Sequence, residues 1–428
     1  MRRRRKHNRI THILLILLIA CGLAIAPFPS SVIPRTAVSA TEEIRGVWIT
    51  NVSSSVLFFP WEINRALDRL SALNFNTVYP VVWNRGTTFF RSAVARRVTG
   101  RSQDTLLHFT RLGRDILSEI VREGHDRGLR VIPWLEYGFM APINSQLVKN
   151  HPDWVTQTRD SNLMLADYPD AEDSPSSTPP PSRRRFWLFN RIHNIWLNPL
   201  HPGVQRFMED LILEVVMKYD VDGIQLDDHF GIPVEFGYDR YTIELYKREH
   251  GGKSPPDDPQ NPEWRRWRSN KITDFIEHLV KAIKTAKPDC IISLSPNPYE
   301  FTYNVYLQDW LTWVNRGWMD ELVLQVYRDR LDGFIDELEH PSLKTAREKV
   351  PVGIGILSGT LTHPVPIEQI KSQVKEVRDR DFDGVSFFYW ETLWSYLTPD
   401  APEQRRQVFQ QLFSETQIGS RPPHPKSS

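Results

Sequence analysis

The sequence of 428 residues predicts a (β/α)8 barrel, the TIM-barrel member of the α/β class. Apolar, strand-like runs alternate along the chain with amphipathic helical stretches, a pattern typical of a parallel sheet. There are eight such runs, and eight units favour closure into a barrel. An open, doubly wound sheet is the alternative, but no G-x-G-x-x-G sequence follows a strand and opens a helix.

The predicted strands are short, rich in Val, Ile, Leu and aromatic residues, and bounded by polar or turn-forming residues. In chain order they are Arg45–Asn51, Thr77–Trp83, Arg130–Tyr137, Gly223–Asp228, Ile291–Asn297, Glu321–Tyr327, Val352–Leu357 and Gly384–Glu391. Helices are predicted between them and after the last strand. They include Trp61–Leu73, Asp115–Arg127, Pro202–Tyr219, Trp264–Ala286, Pro366–Arg380 and Pro402–Phe413.

Residues 1–40 predict a signal peptide or N-terminal anchor. A basic start is followed by the apolar run Ile13–Ala26 and by the small residues Val38–Ala40, which offer a cleavage site. The apolar run is short for a membrane-spanning helix. Leu18–Cys21 also resembles a lipobox, so the chain is predicted to be exported to the periplasm or cell envelope, either cleaved or lipid-anchored at Cys21.

The barrel domain is predicted to span residues 41–416. Within it, residues 167–185 are rich in Pro, Ser and Arg and predict a disordered insertion after the third strand. A shorter Pro/Asp/Gly stretch, Gly251–Pro262, is expected to be mobile, and residues 417–428 to form a disordered tail.

The composition narrows the classes of function and partner. The net charge is +1, from 53 basic and 52 acidic residues, which argues against nucleic-acid binding. Cys21 and Cys290 are the only cysteines, so neither a disulfide framework nor a cysteine-based zinc site is available. Cys290 opens an apolar run and is expected to be a buried thiol. The sequence gives no indication of the oligomeric state.

Polar side chains are predicted to point into the barrel near the ends of three strands. Because side chains alternate between the two faces of a strand, the apolar residues of the fourth strand place Gln225 and Asp227 on its inner face. The same argument places Gln325 and Tyr327 of the sixth strand, and Asn297 of the fifth, inside the barrel. Since TIM-barrel active sites lie at the carboxyl ends of the strands, this convergence predicts an active site.

Four carboxyl groups lie at predicted strand ends, on Glu136, Asp227, Asp228 and Glu391. Glycoside hydrolysis needs two carboxyl groups, one acid for the leaving oxygen and one nucleophile or base. Adjacent carboxylates push their pKa values apart, although such a pair can also be a helix cap or a loop ion pair. Apolar neighbours would raise the pKa of Glu136 or Glu391, and each could instead form a structural ion pair with arginine.

Aromatic residues near the strand ends predict a sugar-binding cleft, because pyranose C–H groups pack well on indole faces. Of 14 tryptophans, five lie at or near strand ends: Trp48, Trp83, Trp134, Trp390 and Trp394. The first four are expected to stack on sugar rings. Polar substrate contacts are expected from Asn51, Gln225, His229, Asn297, Gln325 and Tyr327.

Metal and serine-based chemistry are the rival interpretations. Asp227-Asp228-His229 could suggest a metal site, but three consecutive strand residues are not expected to face one ion, and the first strand lacks the H-x-H of amidohydrolase barrels. No G-x-S-x-G elbow is present. The prediction is therefore an enzyme without a metal or cofactor.

Several segments together resemble the glycosyl hydrolase-like 10 family, which is common among exported or lipid-anchored bacterial proteins. They are Glu43–Trp48, Asn76–Tyr79, Trp196–Pro199 and, most specifically, Tyr219–Asp228. The resemblance runs from about Thr41 to Phe413. It implies a barrel with catalytic carboxylates at Asp227-Asp228 and action on bacterial envelope glycan, such as the glycan strands of peptidoglycan.

The segment Asp222–Asp227 also looks like the nucleophile strand of the α-amylase clan. This chain departs from that clan, because Gln225 stands where an arginine is usual and no glutamate ends its fifth strand. Many relatives read Trp-Leu-Asn or Trp-Phe-Asn at the third strand, where this chain has Glu136 in the third position. The resemblance therefore does not locate the acid.

The sequence thus predicts a glycoside hydrolase that cleaves O-glycosidic bonds in an envelope polysaccharide. Asp227 is expected to be the nucleophile or base, while Asp228, Glu136 and Glu391 compete for the role of acid. Two alternatives remain at this point. One is a catalytically silent barrel that binds glycan, and the other is an envelope scaffold without sugar affinity.

Overall fold

A closed barrel of parallel strands forms the centre of the computed structural model, which describes residues 42–111, 113–164, 194–360, 363–394 and 398–414. Eight positions around the barrel are occupied, and the third position is shared by two short strands. The ring closes because the first strand pairs with both the second and the last. The barrel strands are β1 (Ile44–Ile49), β2 (Thr77–Asn84), β4 (Arg130–Val131) with β5 (Trp134–Leu135), β8 (Gly223–Asp227), β9 (Ile291–Ser295), β10 (Glu321–Gln325), β11 (Val352–Leu357) and β12 (Gly384–Phe388).

Three further strands lie outside the ring. β3 (Thr87–Thr88) forms a hairpin with the end of β2, and β6 (Met140–Pro142) pairs with β7 (Asn194–Trp196) in a separate two-stranded sheet. Both additions follow the carboxyl ends of barrel strands. They therefore build up the end of the barrel where TIM-barrel active sites lie.

Helices follow the strands and cover the barrel. In chain order they are α1 (Pro60–Ala72), α2 (Ala93–Thr99), α3 (Thr105–Thr110), α4 (Ile116–His125), α5 (Gln146–Asn150), α6 (Pro202–Lys218), α7 (Arg240–Glu249), α8 (Pro262–Ala286), α9 (Tyr299–Tyr306), α10 (Trp310–Asn315), α11 (Leu331–Leu338), α12 (Pro341–Arg347), α13 (Ile367–Asp379), α14 (Trp390–Leu393) and α15 (Pro402–Leu412). A 3-10 turn spans Pro152–Trp154. Within the described residues, no helix combines the length and the apolar character needed to cross a membrane.

The barrel interior carries a buried polar cluster near the beginning of the strands. The Glu321 carboxylate accepts hydrogen bonds from the Tyr79 hydroxyl (2.9 Å), the Ser293 hydroxyl (2.9 Å) and the Arg130 guanidinium (3.0 Å). A buried carboxylate with three donors is satisfied and holds its partners in place. The cluster ties together four different barrel positions beneath the site described below.

All eight predicted strands are present, and the predicted fold is confirmed. The third strand differs from its prediction, because Pro133 has no N–H and the strand is interrupted before Trp134. Gly251–Pro262 was predicted to be mobile, and in the structure two side chains hold it by hydrogen bonds. The Tyr238 hydroxyl and the Arg268 guanidinium donate to carbonyl oxygens of Pro256 (3.0 Å) and Pro259 (2.6 Å) in this segment.

Several sequence predictions fall outside the described residues. These are the signal peptide with Cys21, the insertion at 167–185 and the tail at 417–428. Cys290 is fully buried, as expected.

Candidate active site

Two adjacent aspartates and a histidine form a buried cluster at the carboxyl end of β8. Asp227 is the last residue of the strand, and the chain turns immediately after it. Because of this turn, His229 Nδ1 lies 2.6 Å from Asp228 Oδ1 and 3.6 Å from Asp227 Oδ2. Asp228, which alternation alone would turn outward, therefore shares one site with Asp227.

Burial and the neighbouring charges change the pKa of Asp227 and of His229. Burial raises the pKa of Asp227 well above its ordinary value, and the charge of Asp228 raises it further. Burial would lower the pKa of His229, but Asp228 and Asp227 outweigh this effect and raise it to about 10. The imidazole is therefore a cation at neutral pH, and it holds Asp228 more closely than Asp227.

The neighbouring strands hold both aspartates by direct hydrogen bonds. Gln325, the last residue of β10, donates from Nε2 to Asp227 Oδ1 (2.8 Å) and to the Ser295 carbonyl (2.9 Å). Asn297, which follows β9, donates from Nδ2 to Asp228 Oδ2 (2.6 Å). Each aspartate thus has its own amide donor, and the two carboxylates are oriented independently.

Glu136 lies just after β5, between the ends of β1 and β2. Its Oε2 accepts hydrogen bonds from the Thr50 hydroxyl (2.8 Å) and from the Asn84 amide (2.5 Å). Burial raises the pKa of this carboxyl group to about 7, although both hydrogen bonds and the charges of Arg85 and His229 lower it. Glu136 can therefore hold or release a proton near neutral pH.

The Tyr327 hydroxyl group lies within range of the charges of Glu136 and of the aspartate pair. Burial raises the pKa of its hydroxyl group well above the ordinary value, and the charges of Asp227, Asp228 and Glu136 raise it further. All three carboxyl groups thus act on one phenol inside the end of the barrel. Three of the four predicted carboxyl groups share this site.

Glu391 belongs to a different cluster. It lies in α14, and its Oε1 accepts a hydrogen bond from the Ser54 hydroxyl (2.6 Å) in the loop after β1. Burial raises its pKa, and its charged neighbours are Glu62 and Arg65 of α1. The prediction that Glu391 competes for the acid role stays a prediction, and the partners of Glu391 in the structure lie in the β1–α1 loop and α1.

Aromatic side chains form the floor of the site inside the barrel. The Trp48 ring stacks on Tyr79 (5.4 Å between centroids) and lies 6.2 Å from Trp134. Phe388 lies 6.3 Å from both tryptophans and 5.7 Å from Tyr327. The Trp48 indole donates to Gln225 Oε1 (2.7 Å), so Gln225 positions the floor and not the substrate.

Two of the predicted stacking residues lie elsewhere. Trp83 is fully buried, contacts Phe207 of α6 and donates to the Gly138 carbonyl (2.8 Å). Trp390 is 5% exposed and packs on Trp394, which contacts Phe409 of α15. Trp83 thus packs against α6, and Trp390 packs against Trp394 on the side of α15.

The prediction that Asp227, Asp228 and His229 do not face one metal ion is wrong. Donor atoms of Asp227, Asp228 and His229 lie within 4.8 Å of one another, close enough to hold a metal ion. The sequence argument failed because it treated His229 as a strand residue, whereas the chain turns after Asp227. The His229 imidazolium already supplies a positive charge to this cluster.

Comparison with known protein families shows the family to which the chain belongs. The family model described as Glycosyl hydrolase-like 10 matches residues 43–169 and 172–376. The chain belongs to this family. The predictions of the family and of a TIM-barrel glycoside hydrolase are confirmed at this level, and the chain is an enzyme of that class.

The chain is similar to other proteins in sequence and in structure. Glycosyl hydrolase DigH from Escherichia coli is 25% identical over 337 residues, which cover 71% of this chain and 70% of DigH. The PgaB (BpsB) glycoside hydrolase domain from Bordetella bronchiseptica has a TM-score of 0.58 at 13% identity, covering 86% of this chain and 99% of that domain. The β-amylase catalytic domain from Paenibacillus polymyxa has a TM-score of 0.57 at 10% identity, covering 90% and 100%. These two structures support the fold.

The most specific family segment, Tyr219–Asp228, ends at the aspartate pair. Another, Trp196–Pro199, has a structural role, because Asn198 donates to Asp239 (2.9 Å) and to Thr242 (2.8 Å) and so anchors α7. Trp196 itself stacks on the His229 ring (5.7 Å between centroids). This family segment therefore supports the Asp227–Asp228–His229 cluster from one side.

Sequence reasoning missed several residues that orient the site. Thr50 and Asn84 bind Glu136, and Asn84 also donates to Asn51 Oδ1 (2.9 Å), which gives Asn51 an indirect place beside Glu136. Gln308 donates to the carbonyls of Asp227 and Asp228, and Tyr137 stacks on His229. Thr50 and Asn84 could have been found as polar strand ends, whereas Gln308 lies in a helical connection without a recognisable signal.

Proposed function

We propose that this enzyme hydrolyses O-glycosidic bonds of a bacterial envelope polysaccharide, the glycan strands of peptidoglycan, with Glu136 and the Asp227–Asp228 pair as its catalytic carboxyl groups. The observation that carries the proposal is that Leu135 pairs with Leu226, so Glu136 and Asp227 follow side by side at the carboxyl ends of the neighbouring strands β5 and β8. Glycoside hydrolysis requires two carboxyl groups in different environments, and this site supplies them.

Glu136 is assigned the role of proton donor to the leaving oxygen. A general acid works best when its pKa is near the operating pH, and burial raises the pKa of Glu136 to about 7. Its two hydrogen bonds, from Thr50 and Asn84, both reach Oε2. This arrangement leaves Oε1 as the oxygen that can carry the proton towards the substrate.

Asp227 is assigned the role of nucleophile or base. The Gln325 amide fixes Oδ1, while the His229 imidazolium stays 3.6 Å from Oδ2. Asp228 is instead paired closely with His229 and Asn297, so it balances charge and positions the histidine. The raised pKa of Asp227 makes its carboxylate a stronger base than a free aspartate.

Trp134 gives further support for a polar ligand. Its indole Nε1 is buried and has no hydrogen-bond partner among the described residues. A buried donor without an acceptor is unfavourable by about 1–3 kcal/mol. A sugar hydroxyl or ring oxygen would satisfy this donor, whereas an apolar ligand would not.

The choice of peptidoglycan rests on the family and on the export signal predicted in residues 1–40. We expect the enzyme in the periplasm or cell envelope, with lipid anchorage at Cys21 as the alternative to cleavage after residue 40. Fractionation of cells that produce the full chain, with and without Cys21→Ser, tests this expectation. Loss of the membrane-bound fraction in the variant would favour the anchor, and a soluble protein in both would favour cleavage.

The experiment that tests the function measures new reducing ends in purified, peptide-free peptidoglycan strands. We expect release by the wild type, and a loss of at least about 1,000-fold in Asp227→Asn, since removal of a catalytic nucleophile or base abolishes most of the acceleration. Asp379→Asn, an exposed change on α13, is the matched control. Binding of the strands without new reducing ends in the wild type would show a silent glycan-binding barrel and contradict the proposal.

A further inference from the structure

A polar cavity lies beside the catalytic acid, at the tip of the β2–β3 hairpin. Asn84, which binds Glu136, pairs with Thr87 across this hairpin. The two residues of its turn, Arg85 and Gly86, both have a left-handed backbone, with φ values of 50° and 72°. This geometry is that of the tight turns that match the twist of a hairpin. The hairpin therefore runs directly from the acid into the cavity wall.

The cavity has a volume of about 210 Å³. It is enclosed by the hairpin, by the connection from α2 to α3 and by the turn between β6 and α5. Sites for drug-sized ligands occupy roughly 300–1,000 Å³, so this cavity suits one sugar ring. Buried hydroxyl and amide groups of Thr88, Thr99 and Gln103 contribute to its lining.

Two arginines give the cavity a positive charge. Arg85 donates to the Tyr137 hydroxyl (3.1 Å) and lies over the Tyr137 ring, so it is held next to the catalytic cluster. Arg101 contributes an exposed guanidinium, 3.4 Å from the Thr105 hydroxyl. The one acidic residue in the lining is Asp104, whose Oδ1 accepts from the backbone N–H groups of α3.

A second cavity, of about 310 Å³, adjoins the first and shares Arg101, Gln103 and Thr105 with it. It adds the positive charge of Arg96 and the ring of Phe109, which is 68% exposed. An exposed aromatic ring in a polar groove is suited to pack against the C–H face of a sugar. Together the two cavities have room for two consecutive sugar units.

We infer that these cavities are subsites for sugar units that carry a carboxylate, which the guanidinium groups of Arg85 and Arg101 recognise. The planar arginine fork matches a carboxylate with paired hydrogen bonds. This inference rests on the proposed function, because it assigns a location and a charge preference to the substrate of the same active site. In peptide-free peptidoglycan strands the carboxylates are those of the lactyl groups.

Arg101→Met is the main test, because Arg101 contacts none of the catalytic residues and methionine keeps much of its aliphatic length. The ligands are peptide-free peptidoglycan strands and the same strands after conversion of their carboxylates to methylamides. Binding of both is measured in an Asp227→Asn background, in which the ligand stays intact. Arg266→Met, a change of an exposed arginine on α8, is the matched control.

We expect Arg101→Met to weaken binding of the native strands by about 3- to 10-fold, the range for a partly exposed charge-assisted contact. Binding of the amidated strands should be weaker from the start and unchanged by the substitution. Equal binding of both strand preparations, or an equal loss on both, would overturn the inference. Because this readout needs no turnover, it is separate from the hydrolysis assay, and a wild type that cleaves neither preparation would refute the function alone.

Discussion

Removal of the Asn84 amide should move the alkaline limb of the pH–rate profile to higher pH. In the proposed mechanism Glu136 must be protonated to act, so activity is lost as pH rises through its pKa of about 7. The Asn84 amide lies 2.5 Å from Glu136 Oε2 and stabilises the ionised form. Asn84→Leu removes this donor and keeps the branched shape of the side chain, so the pKa should rise.

The size of the shift follows from the strength of the lost hydrogen bond. A hydrogen bond to a charged group contributes roughly 1.5–3 kcal/mol, and one pKa unit corresponds to about 1.4 kcal/mol. We therefore expect the limb to move up by about 1 to 2 pH units in Asn84→Leu. Thr50→Val removes the other donor to the same oxygen and should shift the limb in the same direction.

The assay is the rate of new reducing ends at low substrate concentration, because kcat/KM reports the pKa values of the free enzyme. Profiles from about pH 5 to about pH 10 would span both the original and the shifted limb. Asn270→Leu, a change of an exposed amide on α8, is the control and should leave the limb in place. An alkaline limb that stays unchanged in Asn84→Leu, or that moves to lower pH, would refute the assignment of Glu136 as the acid.

Three further outcomes are expected. Glu136→Gln should lose activity yet unfold at a higher temperature than the wild type at pH 8. The Glu136 carboxyl group stabilises the folded protein fully below about pH 4.5, and this stabilisation is lost as pH rises through about 7. The loss in free energy of unfolding is at most about 3 kcal/mol. A thermal midpoint of Glu136→Gln below that of the wild type at pH 8 would contradict this reasoning. Glu391→Gln should retain most of the activity, since the Glu391 carboxylate accepts its hydrogen bond from Ser54 in the loop after β1. A loss as large as that of Asp227→Asn would show that Glu391 is a catalytic carboxyl group. Dialysis against a chelator should leave kcat unchanged, and activity restored only by a divalent cation would assign a metal to the Asp227–Asp228–His229 cluster.

The strands and the inner faces of the barrel could be predicted because both depend on local patterns. The alternation of side chains along a strand correctly placed Gln225 and Gln325 inside the barrel. There Gln225 forms a hydrogen bond with Trp48, and Gln325 forms one with Asp227. Side-chain direction has a period of two in a strand, so a regular strand needs no further information. The same rule failed for His229, since it does not extend past the turn after Asp227.

The grouping of the carboxyl groups could not be predicted, because it depends on contacts between distant segments. Glu136 and Glu391 both follow aromatic strand ends, yet only the first shares Tyr327 with the aspartate pair. The difference arises from the loop after β1, in which Thr50 binds Glu136 and Ser54 binds Glu391. Strand-end position alone likewise could not separate Trp83, which faces α6, from Trp48 inside the barrel.

Digestion of peptide-free peptidoglycan strands in oxygen-18-labelled water, followed by mass spectrometry, tests the paired-carboxylate account most directly. Hydrolysis by Glu136 and Asp227 predicts one labelled oxygen at each new reducing end made by the wild type, and no such product from Glu136→Gln or Asp227→Asn. Unlabelled anhydro ends, or labelled products in equal yield from either variant, would contradict it.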